Sequence, residues 1–143
     1  MLLPDVNVLV YAFRPDATDH EQYRAWLDRT VNGEASYACS DLVLSGFVRV
    51  VTHPRIFREP SSPAEAMSFA RAVRDQPTCR QVFPSGQHWS IFTKLCEHAG
   101  AKGNLVSDAF LAALAIESGC EWVTADRDYA RFPGLRWQHP LRG

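Results

Sequence analysis

Lysine is nearly absent from this chain: of its 15 basic residues only Lys94 and Lys102 are not arginine. Net positive charge is absent too. At a formal charge of -1, the chain cannot hold an anionic polymer by bulk attraction, so any such contact must come from a local patch. The arginine bias favours bidentate phosphate contacts, although a coding preference gives the same ratio. No apolar run is long enough to cross a bilayer. Cys39, Cys79, Cys96 and Cys120 are scattered, with no Cys-x-x-Cys pair, which fits reduced cytoplasmic thiols better than a disulfide framework or a zinc site. The opening Met1-Leu2-Leu3-Pro4-Asp5 has neither a basic stretch nor an extended apolar one, so no secretory signal is expected. A glycine-rich phosphate loop and a Gly-x-Ser-x-Gly elbow are missing. The five histidines show no metal-ligand spacing, and Asp126-Arg127-Asp128 is no EF-hand, because Arg131 stands where its glycine must be.

What remains is an ordinary folded composition, 46% hydrophobic and 22% charged over 143 residues. That length suits one domain, residues 1–143, with one sizeable core. Strand and helix signals alternate throughout. A first strand at Met1–Pro4 leads into a buried helix over Val6–Ala12. Thr18 with Glu21 forms a capping box, opening a helix that Asn32-Gly33 stops. Tyr23, Trp26, Leu27 and Thr30 share one face of it and read as core or dimer contacts. Tyr37–Cys39 is a strand, and Ser40 or Asp41 caps a helix running to about His53. Ser62-Pro63-Ala64-Glu65 opens another, through about Asp75. Cys79–Phe83 reads as a strand and Gln87–Ala99 as a helix closed by Gly100. Gly103-Asn104 reads as a turn, and Ser107 caps an apolar helix that Gly119 ends. Glu121–Thr124 is a third strong strand; a helical turn over Arg127–Phe132 and an edge strand at Leu135–Trp137 follow. This alternation predicts an α/β fold, a central and mostly parallel sheet with helices on both faces.

Four carboxylates stand where a charge is not needed for solubility: Asp5 after the first strand, Asp108 in the apolar helix, and Asp126 and Asp128 after the third strong strand. If the strands are parallel neighbours, their carboxyl ends open into the crevice where such sheets bind ligands. Carboxylates gathered there repel one another unless a hard dication joins them. Mg²⁺ or Mn²⁺ held so can assist phosphodiester hydrolysis. Asp5, between Leu3 and Val6 and so expected to be partly buried, resists a plain structural reading, but the others admit one. Asp108 suits a helix dipole, and Asp128 suits an exposed turn. Asn7 fits an Asx turn as well as a brace for the Asp5 loop. Thr124 fits a strand end as well as an orienting hydroxyl.

Three blocks carry a family resemblance: Leu3-Pro4-Asp5-Val6-Asn7-Val8-Leu9-Val10, Asn104-Leu105-Val106-Ser107-Asp108-Ala109-Phe110-Leu111-Ala112-Ala113-Leu114-Ala115, and Thr124-Ala125-Asp126-Arg127-Asp128-Tyr129. Through them the chain resembles the PIN-domain ribonucleases, specifically the VapC toxins of bacterial toxin–antitoxin pairs. The resemblance implies Mg²⁺- or Mn²⁺-dependent endonucleolytic cutting of RNA, often tRNA or ribosomal RNA, by metal-activated water. It implies a homodimer and a small antitoxin that inserts a peptide into the active-site groove. Asp5, Asp108 and Asp126 match the family's acids and metal ligands, and Asp128 an additional acid less uniformly used.

One departure stands out. Gly46 occupies the place of a glutamate that many PIN domains carry in the helix after the second strand. Asp41 lies about 140° around that helix and cannot replace it. Fewer carboxylates follow, with an inactive relative that only grips RNA or antitoxin as one alternative. A small phosphatase with Asp5 as nucleophile is another, weakened by Asn7 where a second aspartate belongs. Arg14, Arg49, Arg55 and Arg58 are candidates for gripping RNA phosphates; each is equally an ordinary solvated arginine.

Overall fold

Leu3 and Trp122 lie side by side in a parallel ladder, both wholly buried, and the architecture grows outward from that pair. The computed structural model describes residues 1–142; Gly143, last of the expected domain, lies outside the described residues. Strand β1 (Leu2–Pro4) pairs with β4 (Glu121–Val123), which pairs with β5 (Trp137–Gln138), all parallel. Strands β2 (Tyr37–Cys39) and β3 (Cys79–Gln81) form a second parallel ladder, with β2 packed beside β1. Helices flank these strands: α1 (Val6–Phe13), α2 (His20–Asn32), α3 (Asp41–Val51), α4 (Pro63–Arg74), α5 (His88–Ala99) and α6 (Asn104–Ser118). The expected α/β arrangement is therefore present, with the ladder divided into a three-stranded and a two-stranded piece.

Local sequence explains most boundaries. The Ser40 hydroxyl accepts the Leu42 N–H at 3.2 Å, and the Ser62 hydroxyl accepts that of Glu65 at 3.1 Å. Each satisfies an amide that the helix leaves unpaired. Gly100 and Gly119 close α5 and α6 in the left-handed conformation that glycine adopts without strain. Ala109, Ala112, Ala113 and Ala115 are all fully buried, so α6 packs through small side chains against its neighbours.

Two helix starts differ from expectation. Helix α2 begins at His20, not at a Thr18 capping box: Asp19 precedes it at φ 60° with no side-chain cap bond. The His20 ring instead meets the Tyr11 carbonyl at 2.8 Å, a tertiary contact invisible to a local rule. Helix α6 begins at Asn104, a turn before Ser107. Gly103, at φ 56° and ψ -127°, lets the chain enter the helix early. Asp108 therefore sits in the second turn, and the helix dipole no longer accounts for it. Smaller shifts move the last strand from Leu135–Trp137 to Trp137–Gln138 and end α3 at Val51. Tyr23, Trp26 and Leu27 are core residues, as their spacing indicated.

Trp122 is wholly buried, and its indole N–H has no partner among the described residues. Replacing Trp122 with alanine is expected to cost about 3–5 kcal/mol. Trp122→Phe is expected to cost under half as much, because the unpartnered donor leaves with the lost volume. Denaturant unfolding checks both; equal losses would contradict this account.

Candidate active site

Pro4 stands opposite Val123 in the ladder, so β1 and β4 release Asp5 and Thr124 at the same sheet edge. The Asp5 N–H continues the ladder by one step, donating to the Val123 carbonyl at 2.8 Å. Its side chain then caps α1: Oδ1 accepts the Val6 N–H at 2.6 Å, and Oδ2 accepts the Thr124 hydroxyl at 2.7 Å. Asp5 is only 5% exposed and Thr124 is fully buried. The Thr124 oxygen also accepts from Asn7 Nδ2 at 3.3 Å and from the Asp126 N–H at 3.0 Å. Asn7 returns the contact, its Oδ1 accepting the Ala125 N–H at 3.3 Å. Asn7 and Thr124 thus brace the two acid-bearing loops against each other.

Asp126 caps the 3₁₀ turn over Arg127–Arg131 by accepting the Asp128 N–H at 2.9 Å. That turn swings Tyr129 into the core, and its hydroxyl donates to Asp108 Oδ1 at 3.2 Å. Sequence reasoning gave Tyr129 no role. Its signal was available, since a buried tyrosine hydroxyl ordinarily needs a partner. Asp5, Asp108, Asp126, Asn7 and Tyr129 together line one groove of about 440 Å³. Asp128 does not: it is exposed and lies 3.9 Å from Arg131.

Electrostatics follow from this placement. Burial pushes Asp5 up from 3.8 to about 6, with the charges of Asp108 and Asp126 adding and its two hydrogen bonds opposing. Burial likewise raises Asp108; the Tyr129 hydrogen bond opposes this, and Asp126 and Asp128 add to it. Burial and the surrounding carboxylates raise Tyr129, which keeps its proton and remains a donor. Among the described residues no cation forms an ion pair with Asp5, Asp108 or Asp126.

No group of three acidic, histidine or cysteine side chains among the described residues is set to hold an ion by itself. The groove nevertheless suits a hard dication: its anionic donors are carboxylates, and neither cysteine nor histidine lines it. Magnesium needs only one or two direct carboxylates and keeps several waters. Gly46 also lines the groove, and a Cβ there would meet Val6 Cγ2 at 3.1 Å. Its bareness lets α1 and α3 approach, where a glutamate would crowd Val6.

The four arginines separate. Arg49 is exposed and lines the groove beside Gly46. Arg55 and Arg58 are exposed on the loop after α3, flanking Ile56 and Phe57, which line the groove. Arg14 is 8% exposed and already engaged. It pairs with both Asp16 oxygens at 2.9 and 2.7 Å, donates to the Glu59 carbonyl at 2.8 Å and to the Ser61 hydroxyl at 3.0 Å, and lies 4.0 Å from the Phe57 ring centre. Arg14 is therefore not placed to grip a phosphate: its guanidinium builds the loop instead.

Residues 2–135 match the family model described as PIN domain. The chain is 46% identical over 143 residues to Ribonuclease VapC43 of Mycobacterium tuberculosis, covering all of this chain and 97% of that one. It superposes on VapBC2 from Rickettsia felis, a structure bound to a promoter DNA fragment, with TM-score 0.70 and 19% identity over 96% and 97% of the two chains. With VapC20 of M. tuberculosis, described as a Sarcin-Ricin loop cleaving toxin, the TM-score is 0.64 at 16% identity, over 95% and 99%.

Thr124→Val keeps the shape of the side chain but strips Asp5 of a donor and leaves two N–H groups without their acceptor. An expected loss of about 1–3 kcal/mol in unfolding free energy follows; an unchanged midpoint would contradict the bracing role. Asp5 makes a second expectation. A carboxyl whose folded pKa is raised favours folding below its ordinary value near 4, and that contribution is lost as pH rises toward 6. In chelator, Asp5→Asn is expected to gain on the parent by about 3 kcal/mol between pH 4 and 7, read from urea midpoints against pH. A pH-independent gap would count against the buried charge.

Proposed function

The chain belongs to the PIN-domain family and, within it, to the group of the VapC ribonucleases, and from that premise we propose that it is a metal-dependent endoribonuclease, the toxin of a toxin–antitoxin pair. One observation carries the reading: three carboxylates from segments far apart in sequence line a single groove, with no cation among the described residues paired to any of them. Among its neighbours are structures of toxin–antitoxin complexes, the R. felis VapBC2 complex among them, which supports a small antitoxin as partner. A homodimer in the cytoplasm is part of the same proposal. No helix among the described residues is long and apolar enough to cross a membrane.

Asp5, Asp108 and Asp126 would hold Mg²⁺ or Mn²⁺, with Asp128 completing the site from its rim. When bound, such a cation offsets charge developing on the phosphodiester and makes water a stronger nucleophile. The chain's own residues do the rest. Thr124 and the Val6 N–H fix the Asp5 carboxylate in one orientation, Tyr129 fixes that of Asp108, and Asn7 holds the loop bearing Asp126. Arg49, with Arg55 and Arg58 on the adjoining loop, supplies positive charge for RNA phosphates. Structured RNA, such as tRNA or ribosomal RNA, is the proposed substrate. Asn7, where a phosphatase would need a second aspartate, has both ends of its amide engaged with Thr124 and Ala125, which favours this reading over a phosphatase with Asp5 as nucleophile.

The test is cleavage of total RNA with Mg²⁺ and with excess chelator. Cutting is expected only with the metal, and Asp5→Asn is expected to abolish it while keeping the circular dichroism of the parent. Equal cutting in both conditions, or full activity in Asp5→Asn, would overturn the proposal.

A further inference from the structure

Beyond the carboxylate groove, and resting on the nuclease reading of it, we propose that an adjoining cavity receives a nucleobase of the RNA strand next to the bond that is cut. The cavity measures about 440 Å³. Tyr11 and Phe57 line both it and the carboxylate groove, and Ala125, the residue before Asp126, lines it as well. The two spaces share a wall. A strand whose phosphate lies against the carboxylates has its neighbouring base beside that wall.

The lining suits a base better than a phosphate. Tyr11 and Phe57 are half-buried, and aromatic rings bind bases by stacking, whatever the base. Both rings are held in place. Tyr23 stands edge-on to Tyr11 with centres 5.1 Å apart, and its hydroxyl lies 3.4 Å from His139 Nε2. Arg14 lies against Phe57, which gives the buried, fully engaged arginine a purpose in this wall. Asp16 and Asp19 add negative charge to the lining against one arginine, Arg142, so the cavity offers a phosphate no surplus of positive charge. Asp16 is tied to Arg14 at 2.7 Å. Asp19 is spent on nothing comparable: it precedes α2 without capping it, and it is the one non-glycine residue at positive φ among the described residues. Aspartate visits this left-handed conformation more readily than most residues, and here it stands in the cavity lining. A carboxylate accepts hydrogen bonds only. It therefore selects bases that present N–H donors side by side, guanine with its imino and amino groups first among them.

Two measurements test this. First, the metal-free protein in chelator, labelled with ¹⁵N, is titrated with the 5′-monophosphates of guanosine, adenosine, cytidine and uridine. Guanosine monophosphate is expected to shift the amides of Tyr11, Asp19, Ala125 and His139. Asp19→Asn, which tolerates the same backbone conformation, is expected to weaken it about tenfold. Shifts confined to the carboxylate groove, or equal affinity for all four nucleotides in both proteins, would each overturn the proposal. Second, a random-sequence RNA pool is cut with Mg²⁺ and its ends sequenced. Guanine is expected to be enriched beside the cut by the parent and not by Asp19→Asn; identical profiles would overturn the proposal. A parent that cuts nothing speaks against the nuclease reading itself, while the nucleotide titration still decides the cavity.

Discussion

The hydrogen bond from the Thr124 hydroxyl to Asp5, spanning 119 residues of sequence, is the constraint on which the site depends. A carboxylate taken out of water is costly unless donors surround it. Asp5 is tolerated at 5% exposure because a strand end, a helix N-terminus and a threonine converge there. The same hydroxyl accepts from Asn7 and from the Asp126 N–H. One oxygen atom therefore links the loop after the first strand to the loop after the fourth, and a small movement of either is felt by both acids.

What this network holds is not at rest electrostatically. Asp5 and Asp108 are both pushed toward the protonated form, by burial first and by neighbouring carboxylates besides. Hydrogen bonds from Thr124, Val6 and Tyr129 oppose the shift without cancelling it. The fold thus maintains a concentration of negative charge that works against its own stability, a pattern typical of functional sites. Gly46 belongs to the same design. With no side chain, it lets the first and third helices approach where Val6 stands, beside a groove lined by three carboxylates.

Arginines near the groove show how packing divides one residue type into separate roles. Arg14 and Arg49 look alike in sequence, each on or just beyond a helix. Arg14 is enclosed by Asp16, Glu59, Ser61 and Phe57 and stiffens the loop after the third helix. Arg49 remains exposed at the mouth of the groove. The first shapes a wall; the second is free to meet a ligand.

Much of this was legible in the chain alone. Ser40 and Ser62 are recognisable helix caps, Gly100 and Gly119 recognisable stops, and alternating apolar segments imply a parallel sheet. The acid-bearing blocks named the carboxylates that line the groove: Asp5 and Asp126 because strand ends in such a sheet face one crevice, Asp108 because it stands in an otherwise apolar helix. Local rules failed at Thr18 and Ser107, where a His20–Tyr11 contact and the conformation of Gly103 set the helix starts. They grouped Arg14 with the exposed arginines, and they were silent on Tyr129, whose partner lies 21 residues away, and on the paired strands that bring Cys39 Sγ within 3.0 Å of Cys79 Sγ. Periodicity and caps depend on neighbours along the chain, so the sequence by itself determined the elements and the acids at their ends. Which polar groups meet across strands and helices depends on distances in space, so only the tertiary structure decided how those acids are braced, charged and walled.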